Sequence, residues 1–473
     1  MRVVVIGNGV AGIEAALELR RREPELSITI VSEESDHHFS RTALMWVFTG
    51  QLSHRCIEPF ERDLYSRMGF ERVRARATGV DVENKKVTLA GGLPPLPYDK
   101  LLIACGSRAR GGPWPGSDLD GIGHFVSLQD LEWLELEAHA KPPSRPPRAD
   151  AHLAATADAS PYKPRRVTRP DRGGKPPKNP AVIGGGLIGI EAIEVMASLK
   201  LNPHFFIRED WFWPIALDAA EGRWISDRMS HHGVQVHLQE DVKTLEGSGR
   251  IERITTDKGA YDIDLLVIAI GVMPNTSWLE DSGIPMERGG ILVDRSLKTE
   301  VDDIYAAGDC ASVYWFNGVR RPEQLWYTAR DQGRMVARSI LGDQVHYDRG
   351  LWYNSAKLMD IEWTTAGLVN MNVEDQRNWT FEEEGSVKSS NRIVLSGERV
   401  VGFNLLGRRW DHEVLLRFIR ERRPLDYVLE HLNEARFDTE FVPPLRIPKD
   451  ARQKTPSGPA FSLMPSPVKA PLT

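Results

Sequence analysis

The chain of 473 residues is too long for one ordinary hydrophobic core, so its length predicts two or three domains. Charged residues make up 27% and hydrophobic residues 41%, as in soluble globular proteins, and the net charge of −6 gives no general attraction to nucleic acid or anionic membranes. No apolar run is long enough to span a bilayer, and the first strand begins at Arg2 with no room for a signal peptide, so we expect a cytoplasmic protein.

A glycine-rich turn follows the first apolar strand and opens a helix. Gly7 permits the tight bend, and Gly9 lets the backbone approach a pyrophosphate. Gly12 allows close packing of helix and strand, while the helix start at Val10 and Ala11 attracts the anion. The pattern predicts the beginning of a dinucleotide-binding βαβ unit.

Further elements follow in the first 180 residues. The strand at residues 27–31 is followed by Glu33, whose carboxylate is placed to accept hydrogen bonds from ribose hydroxyls. A hairpin is predicted over residues 80–89 and a buried strand over 100–104. Residues 141–178 are rich in proline and arginine and poor in apolar groups, which predicts a flexible linker or a surface insertion. Two interpretations stay open: a docking arm for an acidic partner, and a solvated linker.

A second turn of the same design comprises Gly184, Gly186, Leu187, Ile188 and Gly189. The strand that follows, residues 204–207, ends in Arg208 and Glu209. A carboxylate here favours the free ribose hydroxyl of NADH, whereas an arginine favours the 2′-phosphate of NADPH. The choice between the two cofactors therefore stays open.

The rest of the chain carries further predicted elements. A buried strand covers residues 265–270, and a helix covers residues 324–339. A mixed module of α-helices and β-strands is predicted over 346–442. The proline-rich tail, residues 443–473, is predicted to be disordered.

Three more motifs lie outside both glycine turns, at residues 101–107 (LLIACGS), 269–275 (AIGVMPN) and 304–309 (IYAAGD). Together with the two turns, in this order, they resemble the FAD-dependent pyridine nucleotide–disulfide oxidoreductase superfamily. The resemblance implies an α/β fold with two Rossmann-like domains, in which the NAD(P) domain is inserted in a discontinuous FAD domain, and a C-terminal α+β interface domain. The implied segments are a first FAD part (1–140), the linker (141–178), the NAD(P) domain (179–278), a second FAD part (279–345), the interface domain (346–442) and the tail (443–473).

The resemblance also assigns cofactors and site residues. The first turn would hold FAD and the second NADH or NADPH. Beyond the first turn and Glu33, the implied FAD-binding residues are Arg41, Thr42, Ala104, Gly106, Gly308, Asp309, Leu325 and Trp326. Gly271 would line the NAD(P)H site together with the second turn, Arg208 and Glu209. Glu191 matches a family glutamate near the nicotinamide amide and the flavin edge, and it is the one residue to which we assign a catalytic role.

Residue 42 separates the branches of the superfamily. Many relatives carry a redox cysteine at the position of Thr42, and the CxxxxC of the glutathione reductase branch is also missing from this sequence. The start of that loop, Phe39 and Arg41, resembles rubredoxin reductases, ferredoxin reductases of oxygenases and the flavin module of nitrite reductases. The implied activity is electron transfer from NAD(P)H through FAD to an acceptor, without a redox-active disulfide.

The acceptor indicated by this branch is a small iron–sulfur redox protein of the ferredoxin or rubredoxin type. Alternatives are an NADH oxidase, a quinone reductase, an NAD(P)H-sensing flavoprotein resembling apoptosis-inducing factor, and a thiol or disulfide reductase using Cys310 or Cys56. The three cysteines, Cys56, Cys105 and Cys310, are far apart in sequence, and His37–His38 has no third ligand nearby, so neither a disulfide framework nor a metal site is expected. A homodimer through the C-terminal module is one arrangement that the resemblance allows.

Overall fold

A computed structural model describes residues 1–138, 176–315, 318–370, 376–382, 389–437, 440, 444–447 and 452–454. The chain divides into two units, one formed by residues 1–113, 117–178 and 267–349, and the other by 114–116, 179–266 and 350–473. Most of the predicted linker, 141–178, lies outside the described residues.

A five-stranded parallel sheet forms the centre of the first unit. Its strands, in spatial order, are Ile304–Ala306, Lys100–Ile103, Arg2–Ile6, Ser27–Val31 and Phe70–Val73. These strands are mostly buried and rich in β-branched residues, as expected where helices and loops cover both faces of a parallel sheet. The predicted strands at 27–31 and 100–104 are therefore confirmed.

Two long helices of the first unit, Val10–Arg22 and Trp326–Ile340, pack side by side. A Cβ at Gly333 would lie only 2.4 Å from the carbonyl oxygen of Ala11, so the missing side chain permits this close approach. The remaining helical segments of the unit are Arg41–Ala43, Leu44–Phe48, His54–Ile57, Leu64–Arg67, Ala90–Gly92, Leu128–Ala138 and Ser277–Leu279.

Smaller sheets complete the first unit. The predicted hairpin is confirmed as the antiparallel pair Ala77–Asp81 and Lys86–Leu89, extended by Leu96–Pro97. The other strands are Ser107–Ala109, Ile122–Gly123, Val272–Pro274, Met286–Glu287, Gly290–Leu292, Ala311–Tyr314 and Arg320–Pro322.

The second unit contains another parallel sheet, which repeats the dinucleotide-binding arrangement. Its strands, in spatial order, are Gln235–Leu238, His204–Ile207, Pro180–Ile183 and Leu265–Ile268, the last of which crosses the boundary between the units. Its helices are Leu187–Ser198 and Ala219–His231, and an antiparallel meander follows with Val242–Glu246, Arg253–Thr256 and Ala260–Asp262. The predicted α/β class is confirmed.

An antiparallel sheet forms the C-terminal part of the second unit. Its strands, in spatial order, are Tyr353–Leu358, Ile361–Gly367, Arg399–Leu406, Ser390–Ser396, Gln376–Phe381 and Arg452–Lys454. The helices His412–Arg420 and Leu425–His431 and the turn Leu432–Ala435 follow. Leu445 lies in the predicted disordered tail but is 5% exposed, and its N–H donates to Asn433 at 2.7 Å. The prediction of disorder is wrong at this residue, because an apolar side chain there completes the core.

A buried ion pair joins the two halves of the second unit. Arg392, on the antiparallel sheet, donates to both carboxylate oxygens of Glu221, at 3.0 and 2.9 Å. Glu221, at the start of helix Ala219–His231, also accepts a bond of 2.8 Å from the side chain of Asn404. Arg392 is 1% exposed and Glu221 2%, so each charge depends on the other for its neutralisation.

The six segments predicted from the sequence are finer than the two units of the structure. Their boundaries therefore stay predictions.

Candidate cofactor-binding sites

In the first glycine turn, backbone atoms crowd Gly7 and Gly12, whereas Gly9 faces open space. Gly7 has a φ of 113°, and its N–H donates to the Val31 carbonyl at 2.8 Å. A Cβ at Gly7 would lie 2.1 Å from the carbonyl oxygen of Ala104, and a Cβ at Gly12 would lie 2.0 Å from that of Gly7. A Cβ at Gly9 would meet no described atom within 4 Å. The turn thus leaves room for a ligand in front of Gly9 alone.

The helix start beside Gly9 supplies the donors for that ligand. Helix Val10–Arg22 begins with no capping side chain and no acidic residue in its first turn, among the described residues. Its first N–H groups lack helical partners, and the helix dipole adds positive potential there. An open glycine in front of unpaired N–H groups fits the pyrophosphate of a dinucleotide.

The predicted second flavin motif lies at the same edge of the sheet. Gly308 has a φ of 81°, and a Cβ there would lie 3.0 Å from the Cβ of Ala11, so the motif approaches the first turn of the helix. The next residue, Asp309, accepts a hydrogen bond of 2.7 Å from the hydroxyl of Ser107. Burial raises the pKa of Asp309, while Ser107 and the charge of Arg41 act against that rise. Ala104, Gly106, Gly308 and Asp309 are therefore brought together with the first turn.

The acidic end of the second strand is also where the sequence predicts it. Glu33 follows Ser27–Val31, and its carboxylate accepts from Arg76 at 2.5 Å. Next to it, a cleft is lined by Asn8, Ile30, Ser32, Ser35, Asp36, Arg72, Val73 and Arg74. Sequence reasoning missed its arginines, because they belong to an irregular strand end without a motif.

A buried network supports the first turn from behind. The ring of His38 is 3.0 Å from the carbonyl oxygen of Asn8, and the hydroxyl of Tyr65 donates to the Asn8 side chain at 2.9 Å. The same hydroxyl accepts from the His38 N–H at 2.8 Å. The sequence predicted that His37–His38 lies in a loop and binds no metal. Buried His38 instead holds the residue between the two glycines of the turn.

An ion pair holds the loop around Thr42, the segment whose sequence distinguishes the branches of the superfamily. Arg41 binds the carboxylate of Glu34 through two nitrogens, at 2.8 and 2.5 Å, and donates to the Val126 carbonyl at 2.7 Å. Its predicted pairing with the FAD pyrophosphate stays a prediction. The Thr42 hydroxyl lies 3.2 Å from that of Ser40.

The helix predicted from residue 324 begins two residues later. Trp326 is its first residue and Leu325 its N-cap, with no side-chain cap among the described residues. An uncapped N-terminus favours negative charge nearby, so this end suits the pyrimidine side of a reduced flavin. The assignment of both residues to FAD stays a prediction.

The second glycine turn reproduces the first in the other unit. Gly184 has a φ of 119°, and a Cβ at Gly189 would lie 2.0 Å from its carbonyl oxygen. Gly186 is the N-cap of helix Leu187–Ser198, and a Cβ there would meet no described atom within 4 Å. The turn therefore fits a second pyrophosphate by the same criteria.

The residues expected at the ribose of NAD(P)H pair with each other. The guanidinium of Arg208 donates to the Glu209 carboxylate at 3.0 Å. The Arg208 side chain is 76% exposed and that of Glu209 25%. A phosphate can therefore reach the arginine, and a hydroxyl can reach the carboxylate, so the pair does not select one cofactor. Gly271, in the other unit, has a φ of 104° and no described atom within 4 Å of an added Cβ.

Glu191 lies on the helix that the second turn opens. Burial raises the pKa of Glu191 to about 8, and the nearby charge of Glu194 adds to the rise. Burial likewise raises the pKa of Glu194 to about 7, although Lys357 acts in the opposite direction. Glu194 accepts from the Met359 N–H at 2.6 Å, which fixes it on its side of the helix. Glu191 is thus a half-buried carboxyl that holds a proton at neutral pH, and its catalytic role stays a prediction.

Two of the three cysteines, Cys105 and Cys310, lie on neighbouring segments of the first unit. Cys56 is exposed, whereas Cys105 is partly buried and its thiol donates to the Asn275 carbonyl at 3.2 Å. Cys310 is fully buried, and its Sγ lies 3.4 Å from the carbonyl oxygen of Ile103. The two segments are neighbours because of strand order: Lys100–Ile103 and Ile304–Ala306 are parallel neighbours, so the segments after them leave the sheet at the same edge.

The sequence and fold match known proteins. The family model described as pyridine nucleotide-disulphide oxidoreductase matches residues 1–333. Nitrite reductase [NAD(P)H] of Bacillus subtilis is 28% identical over 411 residues, which cover 86% of this chain but 45% of the relative, so the chain spans less than half of that protein. The ferredoxin–NAD(+) reductase subunit of a Pseudomonas putida benzene 1,2-dioxygenase system is 26% identical, with 87% of each chain covered.

Solved structures agree in fold. An engineered water-forming NADPH oxidase bound to NADPH aligns with a TM-score of 0.75 and 21% identity, covering 94% of both chains. A covalent putidaredoxin reductase–putidaredoxin complex aligns with a TM-score of 0.71 and 20% identity, covering 89% of this chain and 94% of that one. Among the helices that the structure describes, none is long and apolar enough to cross a membrane.

Proposed function

Because the chain belongs to the pyridine nucleotide-disulphide oxidoreductase family, we propose that it delivers electrons from NAD(P)H to a small iron–sulfur protein. It is an FAD enzyme that oxidises NAD(P)H. When bound, FAD takes a hydride from NAD(P)H and can release the electrons singly, which suits one-electron acceptors. The chain's own residues bind, orient and shield the two cofactors.

The first turn holds FAD in this proposal. The N–H groups at the start of helix Val10–Arg22 bind the pyrophosphate in front of Gly9, and Glu33 accepts from a ribose hydroxyl. Asp309, fixed by Ser107, holds the ribityl and pyrophosphate side. His38 stabilises the turn through Asn8.

The second turn holds NAD(P)H. The helix that begins at Leu187 binds the pyrophosphate in front of Gly186. Glu191 is protonated at neutral pH, since burial raises its pKa to about 8, so its O–H can donate to the nicotinamide amide oxygen. This bond would orient the ring for transfer.

One sequence feature carries the choice of acceptor: the resemblance places Thr42 at the loop position where many relatives keep a redox cysteine. A hydroxyl cannot form a mixed disulfide or a persulfide, so no thiol relay is available in that loop. Electrons would then pass directly from the flavin to the acceptor. The reductase of the Pseudomonas putida dioxygenase system supports a ferredoxin as that acceptor.

Anaerobic stopped-flow mixing tests the proposal. The enzyme is reduced with NADH or NADPH and then mixed separately with a [2Fe–2S] ferredoxin, a rubredoxin, a quinone and oxygen. We expect the iron–sulfur proteins to reoxidise the flavin fastest. Slow reduction to a stable long-wavelength band, with every acceptor left oxidised, would contradict the proposal and favour a sensor resembling apoptosis-inducing factor. Preference for quinone or oxygen would identify a quinone reductase or an oxidase instead.

A variant that lacks Cys56 and Cys310 tests the direct route. Replacing Cys56 and Cys310 with serine should leave ferredoxin reduction intact, because neither sulfur lies on the proposed path. Loss of ferredoxin reduction at full FAD content would favour a thiol reductase. Sedimentation of the same preparations tests whether the chain forms the homodimer that the resemblance allows.

A further inference from the structure

The backbone of the second flavin motif, residues 304–309, turns out of the sheet at Gly308. The N–H of Ala307 still donates to the Ile103 carbonyl at 3.1 Å, which continues the parallel ladder. The N–H of Gly308 follows, and it donates instead to the side-chain oxygen of Gln332 at 2.8 Å. Gln332 lies on helix Trp326–Ile340 and is 0% exposed. A buried N–H without a partner is costly, so this bond fixes the point at which the motif leaves the sheet.

The same part of that helix also contacts the first glycine turn. The residue after Gln332 is Gly333, where an added Cβ would lie 2.4 Å from the Ala11 carbonyl oxygen. An added Cβ at Gly308 would lie 3.0 Å from the Cβ of Ala11 and 3.7 Å from that of Ala329. One helical turn, residues 329–333, therefore packs against both motifs, and its position sets the space between them.

The amide of Gln332 is oriented from its other end. Its nitrogen donates to the hydroxyl of Tyr347 at 3.4 Å, and Tyr347 is 4% exposed. With the nitrogen engaged there, the amide presents its oxygen to the Gly308 N–H. The next residue, Asp309, accepts from the Ser107 hydroxyl at 2.7 Å. Two side chains from different segments thus hold Gly308 and Asp309 in place.

We propose that Gln332 is a positioning residue of the FAD site, which holds Gly308 and Asp309 at the distance from the first turn that FAD binding requires. It acts through the Gly308 N–H. Without the amide oxygen, the motif would move until that N–H found another partner, and Asp309 would move with it. Loss of about one hydrogen bond between Asp309 and FAD corresponds to roughly ten-fold weaker binding. The proposal rests on the placement of FAD between the first turn and Asp309.

Dilution of the FAD-loaded enzyme, with released FAD measured by its fluorescence, tests the proposal. Gln332→Met has nearly the length of glutamine but no amide, so it should bind FAD roughly ten-fold more weakly. Val336→Ala is the matched control, because Val336 is 0% exposed one turn further along the same helix. It should lower the melting temperature but keep wild-type FAD affinity.

Three results of this comparison would overturn the proposal. The first is wild-type FAD affinity in Gln332→Met. The second is an equal loss of affinity in Val336→Ala, which would show that FAD binding follows stability alone. The third is failure of both Gln332→Met and Gln332→Leu to fold in excess FAD, which would show a purely structural role.

Rescue by a conservative variant separates positioning from packing. In Gln332→Glu, burial keeps the new carboxyl protonated at about pH 6, so it offers an oxygen to the Gly308 N–H without a charge. This variant should bind FAD as the wild type does, and binding as weak as that of Gln332→Met would overturn the proposal. Asp309→Ala keeps the two proposals apart. Full FAD content in Asp309→Ala would contradict the FAD site itself, whereas loss of FAD there with normal binding in Gln332→Met would overturn only the role of Gln332.

Discussion

Substitution of Gly186 by valine isolates the nucleotide site from the flavin site. Gly186 has an extended conformation, φ −123° and ψ −171°, which other residues adopt, and an added Cβ would meet no described atom within 4 Å. The fold therefore accepts the side chain, apart from the poorer N-cap, which costs about 1 kcal/mol of stability. The new methyl groups fill only the space in which we place the pyrophosphate.

The size of the effect follows from the bonds that are lost. Pushing the pyrophosphate away from the helix start removes about two hydrogen bonds to a charged group, each worth about 1.5 kcal/mol. The total of about 3 kcal/mol corresponds to roughly 100-fold weaker binding of NADH or NADPH. Anaerobic titration of the flavin absorbance with either nucleotide measures this shift, and dithionite should still reduce the flavin fully.

Gly9→Val is the matched control, because Gly9 is equally open in the first turn. It should purify without yellow FAD, whereas Gly186→Val should keep it. Reduction of Gly186→Val at wild-type nucleotide concentrations, or loss of FAD from it, would refute the division of cofactors between the turns.

Four further outcomes are expected. Asp309→Ala should yield protein with little flavin absorbance, and full FAD content would contradict its assignment. Glu209→Gln should free the preceding arginine for a phosphate and raise the NADPH/NADH ratio of kcat/KM, whereas an unchanged ratio would exclude the pair from specificity. Glu191 keeps its proton in the folded state up to about pH 8, while the unfolded chain loses it near the ordinary carboxyl value of about 4. Stability therefore falls as pH rises through that window, and Glu191→Gln should flatten this slope in thermal unfolding. Arg392→Met should lower the free energy of unfolding, measured in urea, by roughly 3–5 kcal/mol, because it leaves the Glu221 carboxylate buried and unpaired. Adding Glu221→Gln should recover part of that loss. A loss below about 1 kcal/mol would show that the ion pair contributes little to stability.

The sequence predicted the parts of the site that depend on local chain geometry. The spacing of Gly7, Gly9 and Gly12 determines a bend, an open face and a close helix contact within a few residues, and all three are observed. Gly308 and Asp309 were identified through a family motif. They lie close to the first turn because of the order of the strands in the sheet, and a single sequence does not reveal that order.

The remaining features arise from contacts between distant segments. Cys105 and Cys310 lie on neighbouring segments because the strands before them are adjacent in the sheet, and no local pattern in the sequence indicates this. His38 looked like an ordinary loop residue until its ring was found on the carbonyl of Asn8. Burial of Leu445 likewise depends on helices that precede it, so composition alone suggested a tail.

The pairing of Arg392 with Glu221 bears on how enzymes of this kind can be recombined. The nucleotide-binding segment, residues 179–266, is continuous in sequence and invites replacement by the same segment of a relative to change nucleotide preference. Its helix nevertheless carries a buried carboxylate whose counter-charge and amide donor come from the last third of the chain. A graft without an acid at position 221 would strand the guanidinium of Arg392 in the core. Chimeras should therefore exchange 179–266 together with 350–473, or retain Glu221 in the donor segment.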